Sequence, residues 1–446
     1  MKFIHLGDLH IGKRVNDFPM IKDQEYILNQ IIDVMVDEKV DAVLIAGDVY
    51  DKVVPGADAV VLFDDFLTKI TKLGIKVYLI SGNHDSAERL AFAKKLVENS
   101  GVYISPVFNG KVTKCVVEDE YGDINIYMLP FIKPMQVKRF YKRYLEDEKN
   151  AHLVEANINE QNLLDEKDLV GDAKADIEGD KKEPVFVEEN TIEDSNTEDN
   201  NTEDNNTEDN REEIAWDNYN DVYRLVMDTI ELDMSKRNVI VAHQFVTGAQ
   251  TCDSEELAIG GLDNISTDNF EEFDYVALGH IHSPQKIIKE TIRYSGTPLK
   301  YSLSEINHNK TVTIINMKEK GAVDVKQLPL TPLHDMRHIK GTYDELTLRD
   351  NYIETDTSDY MYITLTDEED VPDAIGRLRS IYPNIMRLDY ENTRTRTQAN
   401  IEVTDRVEEK KPIELLAELF EMQNNKEMTQ EQEEYVQQLI EDIWEV

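Results

Sequence analysis

Phe3-Ile4-His5-Leu6-Gly7-Asp8-Leu9-His10 opens the chain with a short apolar run, a glycine, and then an aspartate and a histidine one residue apart. The run has the length and composition of a strand, and the glycine ends it where the polar pair begins. The same grammar recurs four times. Asp41-Ala42-Val43-Leu44-Ile45-Ala46 runs into Gly47-Asp48-Val49-Tyr50-Asp51, and Lys76-Val77-Tyr78-Leu79-Ile80 into Ser81-Gly82-Asn83-His84-Asp85. Asn238 to Ala242 is followed by His243-Gln244, and Tyr275 to Leu278 by Gly279-His280-Ile281-His282. Helical spacing separates these runs: 22–38 carries Tyr26, Ile27, Ile31, Met35 and Val36, and further helices are expected over 57–73 and near 218–231. Ile124 to Leu129 is another strand. Apolar strands alternating with helices predict an α/β layered sheet. Ligand crevices in such sheets lie beyond the carboxyl ends of the strands, so all five polar clusters are expected at one sheet edge.

Those clusters hold Asp8, His10, Asp48, Asn83, His243, His280 and His282, and five of the ten histidines fall within them. Each cluster alone reads equally well as a turn, a helix cap or a core histidine. Five together, each after its own apolar strand, read as one site. Seven oxygen and nitrogen donors exceed the needs of one small divalent ion, so two ions sharing a carboxylate fit better. Imidazole mixed with carboxylate and amide suits Mn²⁺, Fe or Zn²⁺ over the all-oxygen cages of Ca²⁺ or Mg²⁺. Two ions about 3.5–4 Å apart clamp the attacking and leaving oxygens of a phosphoryl displacement. With Asp8 and Asp48 ionised, they leave the site at about +2. His84 follows a donor and is expected to face the substrate, where it gives a proton to the leaving oxygen or steadies transition-state charge. Asp51 and Asp85 either support the ligands from behind or cap helices, Asp85 with Glu88 three residues on. His5 is expected in the core. His152, His308, His334 and His338 have no motif around them.

The 446 residues allow two to four domains, and 40% hydrophobic content supplies a sizeable core. The formal net charge of −42 argues against a simple basic-patch DNA binder or a polybasic membrane binder. That charge is uneven. Residues 151–213 hold 22 acidic against 5 basic residues, a net of −17, and the remaining −25 lies on the rest of the chain. Asn-Thr-Glu-Asp-Asn repeats there in tandem at 196–200, 201–205 and 206–210, after a degenerate copy beginning at Asn190. The repeat has no apolar face, so the segment is read as a disordered insertion, with an acidic lure for a basic partner as the alternative. Cys115 and Cys252 form no disulfide or zinc pattern, which suits a reducing cytoplasm. The Met1–Leu6 run is too short for a signal peptide, and no apolar stretch approaches the ~18 residues of a membrane span. Thr311 to Ile315 and Tyr360 to Leu365, with a helix over 367–379, suggest a smaller α+β domain from about 290 to 400. Beyond the charged linker Asp405 to Lys411, Pro412 opens a helix with Ile413, Leu416, Leu419 and Phe420 on one face. A second helix starts at Thr429, with Gln432 in capping-box spacing, and aligns Tyr435, Val436, Leu439, Ile440 and Ile443. Lys133, Lys138, Arg139, Lys142 and Arg143, and separately Arg394 and Arg396, form basic clusters that either grip nucleic acid or are solvated faces.

Asp8-x-His10, Gly47-Asp48-x-x-Asp51, Gly82-Asn83-His84-Asp85, His243 and Gly279-His280-x-His282 together resemble the signature of the calcineurin-type metallophosphoesterases. The flanks His5 to Lys13, Ser81 to Leu90, Val241 to Phe245 and Tyr294 to Ser302 resemble, more narrowly, the SbcD family of bacterial exonuclease subunits. The likeness covers nearly the whole chain except 151–213. It implies a layered α/β metallophosphoesterase nuclease domain over 1–289, a smaller α+β DNA-capping domain over 290–404 and a helical partner-binding tail over 405–446. It further implies a double-strand exonuclease and single-strand endonuclease acting in DNA repair, recombination and replication. Its cofactors would be two Mn²⁺, with Mg²⁺ or another divalent ion as the alternative. By motif, one ion takes Asp8, His10, Asp48 and His282, the other Asp48, Asn83, His243 and His280, and His84 is the catalytic histidine. The partners implied are DNA and an SbcC-type coiled-coil ATPase docked through 405–446, in a homodimer within a heterotetramer, with no membrane.

Overall fold

The computed structural model describes residues 1–142, 218–255 and 264–393, together with Ile413, Leu416, Ala417, Phe420, 428–430, Gln432, Glu433 and 435–437. The insertion 151–213, Arg143, Arg394, Arg396 and His152 lie outside the described residues, as does most of the tail.

The first half of the chain lays down β1 (Lys2–Leu6), α1 (Ile21–Glu38), β2 (Ala42–Ala46), α2 (Ala57–Lys72), β3 (Lys76–Ile80), β4 (Val102–Ile104), β5 (Thr113–Asp119) and β6 (Gly122–Leu129). It continues with α3 (Tyr219–Met227), β7 (Arg237–His243), β8 (Tyr275–Gly279), β9 (Gln285–Ile287), β10 (Lys289–Tyr294), β11 (Thr311–Met317) and β12 (Val323–Pro329). These strands form two six-stranded sheets instead of the single one expected, in the orders β12-β11-β1-β2-β3-β4 and β9-β10-β8-β7-β6-β5. The core of each sheet is parallel: β1 beside β2, β2 beside β3, and β6, β7 and β8 side by side.

Period-two alternation assigns each strand's two apolar faces to different layers. Ile4, Leu6, Val43, Ile45, Val77 and Leu79 pack outward with Ile27 and Ile31 of α1 and Phe63, Phe66 and Ile70 of α2. Phe3, Leu44, Tyr78 and Ile80 point inward and meet Ile126, Met128, Val239, Val241, Tyr275 and Ala277 of the second sheet. That sheet's outer residues, among them Tyr127, Leu129, Ile240 and Leu278, pack with Val222, Tyr223 and Val226 of α3. The result is four layers, helix, sheet, sheet and helix.

The domain boundary expected near 290 falls inside the second sheet. β10 pairs with β8, and β11 pairs antiparallel with β1 through Phe3↔Ile315, so 289–329 belongs to the large body. The small domain begins instead with β13 (Met336–Gly341) and continues through α4 (Tyr343–Thr347), β14 (Tyr360–Leu365), α5 (Ala374–Leu378) and β15 (Ile385–Tyr390). Its three strands are parallel, and Met361, Ile363, Leu365, Leu378 and Ile385 form its core. The helix expected over 367–379 is confined to α5. Pro372 disfavours helix at Val371, and Asp373 takes a left-handed φ of 51° immediately before α5. In the tail, Thr429 and Gln432 make the capping box that their spacing predicts: Thr429 N–H donates to Gln432 Oε1 at 3.0 Å and Gln432 N–H to Thr429 Oγ1 at 3.4 Å. Among the described residues no helix is long and apolar enough to cross a membrane.

Buried Asp23, in the first turn of α1, joins the two bodies. It sits 2.9 Å from His334 Nδ1 and accepts a hydrogen bond from Tyr360 Oη at 2.7 Å. Removing it strands a buried hydroxyl, which costs about 1–3 kcal/mol. Asp23→Ala is therefore expected to speed proteolysis within 330–335, and cleavage at the parent rate would show that the joint lies elsewhere.

Candidate metal centre

Five strand ends meet at one rim of the double sheet. β1, β2 and β3 of the first sheet deliver Asp8 and His10, Asp48, and Asn83 and His84. β7 and β8 of the second deliver His243, and His280 and His282. The first two loops continue side by side beyond the sheet: Asp8 N–H donates to Gly47 O at 3.1 Å and His10 N–H to Asp48 O at 2.9 Å. Asp8, His10, Asp48 and His280 are non-glycine residues at positive φ, of 52°, 43°, 50° and 105°. Such conformations are costly and persist only where surrounding bonds hold them. The glycines leave room for the side chains: a Cβ on Gly47 would stand 2.5 Å from the His243 ring, and one on Gly279 1.9 Å from Ala46 O.

The seven donors named above lie together. His243 Nδ1 is 2.8 Å from Ala46 O, and a carbonyl only accepts, so Nδ1 carries a proton and Nε2 is the nitrogen turned inward. That Nε2 lies 2.9 Å from Asn83 Oδ1 and 3.4 Å from Asp48 Oδ2. His280 Nδ1 is 3.0 Å from the same Asn83 oxygen. On the other side, His10 Nε2 stands 3.1 Å from His282 Nε2 and 3.8 Å from Asp48 Oδ2. Asp48 Oδ1 accepts from His84 N–H at 2.9 Å, which leaves Oδ2 between the two groups of histidines. Asp8 Oδ1 accepts from His280 N–H at 2.8 Å, but the buried Asp8 Oδ2 has no hydrogen-bond partner.

Electrostatics sharpen the picture. Burial pushes the Asp8 carboxyl up to about 7, although His243 and His282 are close. Burial also depresses His10, and takes His280 down to about 3. His243 rises to about 9 because the Asp48 carboxylate outweighs its burial, and His282 to about 10, against the same penalty, through Cys252 and Glu305. Asp48 is held well below the usual carboxylate range, since His243 outweighs its own burial. Crowded inward-facing imidazole nitrogens and an orphaned buried carboxylate oxygen suit a divalent cation. Ligand atoms of Asp8, His10 and His282, and of Asp8, Asp48 and His243, lie within 4.8 Å of one another. His84 is also within reach, since its ring nitrogen forms such a group with His10 and Asp48, and its Nδ1 is 3.1 Å from Asp51 O.

Asp85 is not a helix cap. Ser86 caps the next turn by accepting from Arg89 N–H, while the Asp85 carboxylate accepts from Val49, Tyr50 and Gly82 N–H at 3.0–3.1 Å. It thereby ties the second ligand loop to the third. Asp51 pairs with Lys13 at 2.8 Å. His5 is a core residue, as expected, against Tyr275 Oη and Leu278 O. His334 has the structural partner Asp23, and His338 stacks on Tyr362 with centroids 4.2 Å apart. Sequence reasoning missed Gln24, which donates to His10 O at 2.7 Å and accepts from Gly12 N–H at 2.9 Å. A polar residue on the buried stripe of α1 was the available signal. It also missed Glu255, which accepts from His282 N–H at 2.8 Å, and Ser254, Glu305 and Lys310, for which no local signal exists.

Comparison with known proteins matches two stretches of the chain. Residues 1–284 match the family model for calcineurin-like phosphoesterases, and residues 332–424 the model described as the type 5 capsule protein repressor C-terminal domain. The SbcD component of the nuclease SbcCD of Staphylococcus epidermidis is 27% identical over 392 residues, covering 87% of this chain and 85% of the relative. The crystal structure of the phosphopantetheinyl hydrolase PptH from Mycobacterium tuberculosis overlaps 67% of this chain and 90% of its own, at 13% identity and a TM-score of 0.30.

In the metal-free fold His243 and His282 hold protons that an unfolded histidine releases above about 6.5. The stability they lend is complete below that pH and is lost as pH climbs through about 9 to 10. The metal-free chain is therefore expected to melt lower at about pH 9 than at about pH 7, and a saturating divalent ion, which binds neutral imidazole, to flatten that fall. A metal-free melting temperature that stays level or rises over this interval would contradict it.

Proposed function

The chain belongs to the calcineurin-like phosphoesterase family, and from that premise we propose that it is the nuclease subunit of a DNA end-processing complex, hydrolysing phosphodiester bonds in DNA repair, recombination and replication. One observation carries the reading: seven oxygen and nitrogen donors from two sheets face a single rim, with a buried Asp8 oxygen unpartnered among them. The likeness to a relative named as part of a nuclease supports nucleic acid as the substrate. We take it to be DNA, cut as a double-strand exonuclease and single-strand endonuclease, as the motif resemblance implies.

Two divalent ions fit the donors, Mn²⁺ by the mixed chemistry of the set. Asp8, His10, Asp48 and His282 would hold one, and Asp48, Asn83, His243 and His280 the other. When bound, such ions supply Lewis acidity to the phosphorus centre and acidify water. The chain's own groups orient and protonate. His243 is locked by the Ala46 carbonyl, and Asp85 fixes the loops bearing Asp48 and Asn83. His84 Nδ1 donates to Asp51 O, so Nε2 is the nitrogen that exchanges a proton, and it delivers that proton to the leaving oxygen. Lys133, Lys138, Arg139 and Lys142 follow Phe131, whose ring centroid is 6.4 Å from that of His280, and they guide the phosphate backbone toward the rim.

The same reading gives the small sheet, 336–390, the capping of DNA, and 405–446 the docking of an SbcC-type coiled-coil ATPase. Exposed Leu416 and Tyr435 on the tail's helical faces are consistent with such docking. A homodimer within a heterotetramer suits the exposed Val53, Val54, Phe92 and Leu96, where Arg89 Nη1 bonds to Val53 O and joins two loops. Residence in the cytoplasm, with its DNA, belongs to this proposal.

End-labelled duplex and hairpin DNA, offered with and without the ATPase and ATP, test the reading. Divalent-dependent cleavage is expected, and a chain that hydrolyses small phosphodiesters but never DNA would refute it. His84→Gln should keep its bound ions and lose at least about 100-fold in cleavage. Parent-rate cleavage by that variant would assign the proton to another group. Deleting 405–446 should abolish co-purification with the ATPase and leave ion binding intact, and a truncated chain that still co-purifies would place the docking surface elsewhere.

A further inference from the structure

Behind the rim lies a buried polar chain that the proposed chemistry does not itself use. Glu305 is fully buried, and Lys310 Nζ stands 2.5 Å from its Oε2. Lys310 also donates to Thr297 Oγ1 at 2.7 Å and to His282 O at 2.9 Å, so its three protons are all engaged. Glu305 Oε1 accepts from Ser254 Oγ at 2.6 Å, Ser302 Oγ at 3.1 Å and Tyr301 N–H at 3.2 Å. Ser254 Oγ is in turn 2.6 Å from His282 Nδ1.

Counting protons decides the direction of this chain. With the Lys310 ammonium against it, Glu305 is a carboxylate and can only accept. Ser254 has one hydroxyl proton, and it goes to Glu305. The contact between Ser254 Oγ and His282 Nδ1 must then run the other way, with Nδ1–H donating to the hydroxyl oxygen. His282 is thereby held with Nδ1 as its donor, which leaves Nε2, the atom 3.1 Å from His10 Nε2, as the nitrogen available to an ion.

We infer that Ser254, Glu305 and Lys310 are positioning residues that fix the tautomer and basicity of His282, and so set the affinity of the ion held at the His10–His282 side of the rim. The inference rests on the two-ion reading above. Partners behind a metal-bound histidine typically govern metal affinity by 10- to 100-fold. The His243 side has its own anchor, the Ala46 carbonyl, and shares no atom of this chain, so it serves as an internal control.

The test is calorimetric titration of the full chain with Mn²⁺ alone. Ser254→Ala is expected to weaken one of two sites by about 10- to 100-fold, leave the other unchanged, and be rescued by Ser254→Thr, which restores the hydroxyl. Glu305→Gln should weaken the same site, because an amide can donate to Ser254 and turn the hydroxyl proton toward His282 Nδ1. Parent affinity at both sites in Ser254→Ala would overturn the inference. So would equal weakening of both sites alongside a lowered melting temperature, which would mark a structural role only. The parent titration tests the two-ion reading separately. If it shows a single ion, that reading fails, and Ser254→Ala still decides whether the relay governs the ion that His282 holds.

Discussion

The hydrogen bond from His243 Nδ1 to the Ala46 carbonyl, 2.8 Å long, crosses from the end of one sheet to the end of the other. Neither sheet carries a complete donor set. The first contributes Asp8, His10, Asp48 and Asn83, and the second His243, His280 and His282. The centre exists only when the sheets pack at the register where β2 and β7 finish together. Inward side chains such as Phe3, Leu44, Tyr78, Met128, Val241 and Tyr275 drive that packing, and glycine at 47 and 279 permits the final approach. An ion held by donors of both sheets would bind the folded arrangement and not the unfolded chain, so that metal binding and sheet packing would reinforce each other.

This dependence explains what was legible. Each donor cluster follows its own apolar strand, so the strands, their ends and the donors are visible as local pattern. The number of sheets is not. A strand buried beneath helices on one side and another sheet on the other has the same two apolar faces as a strand between two helical layers. The limit of the small domain was hidden for a related reason: the pairing of β11 with β1 links distant stretches of the sequence, and no window of residues around 311 contains β1. Asp85 illustrates a third kind of concealment. Ahead of Ser86 and Glu88 it has the look of a cap, yet the backbone donors it reaches at Val49 and Tyr50 lie in another loop. Ser254, Glu305 and Lys310 come from separate loops and acquire meaning only through their contacts in space.

The acidity of the chain, −42 overall, takes a different meaning at the rim. Surface charges beyond about 8–10 Å are screened in physiological salt, so net charge is a weak guide to the potential in a buried pocket. Inside, the low dielectric makes the nearest charges decisive. Asp8 gives the measure: burial lifts its carboxyl to about 7, and the Asp48 carboxylate nearby pushes the same way. A phosphodiester brings another negative charge. Divalent cations held at the rim would offset both charges. An acidic chain is therefore compatible with phosphoesterase chemistry, because the groups nearest the reacting centre, and not the net charge, set the local field.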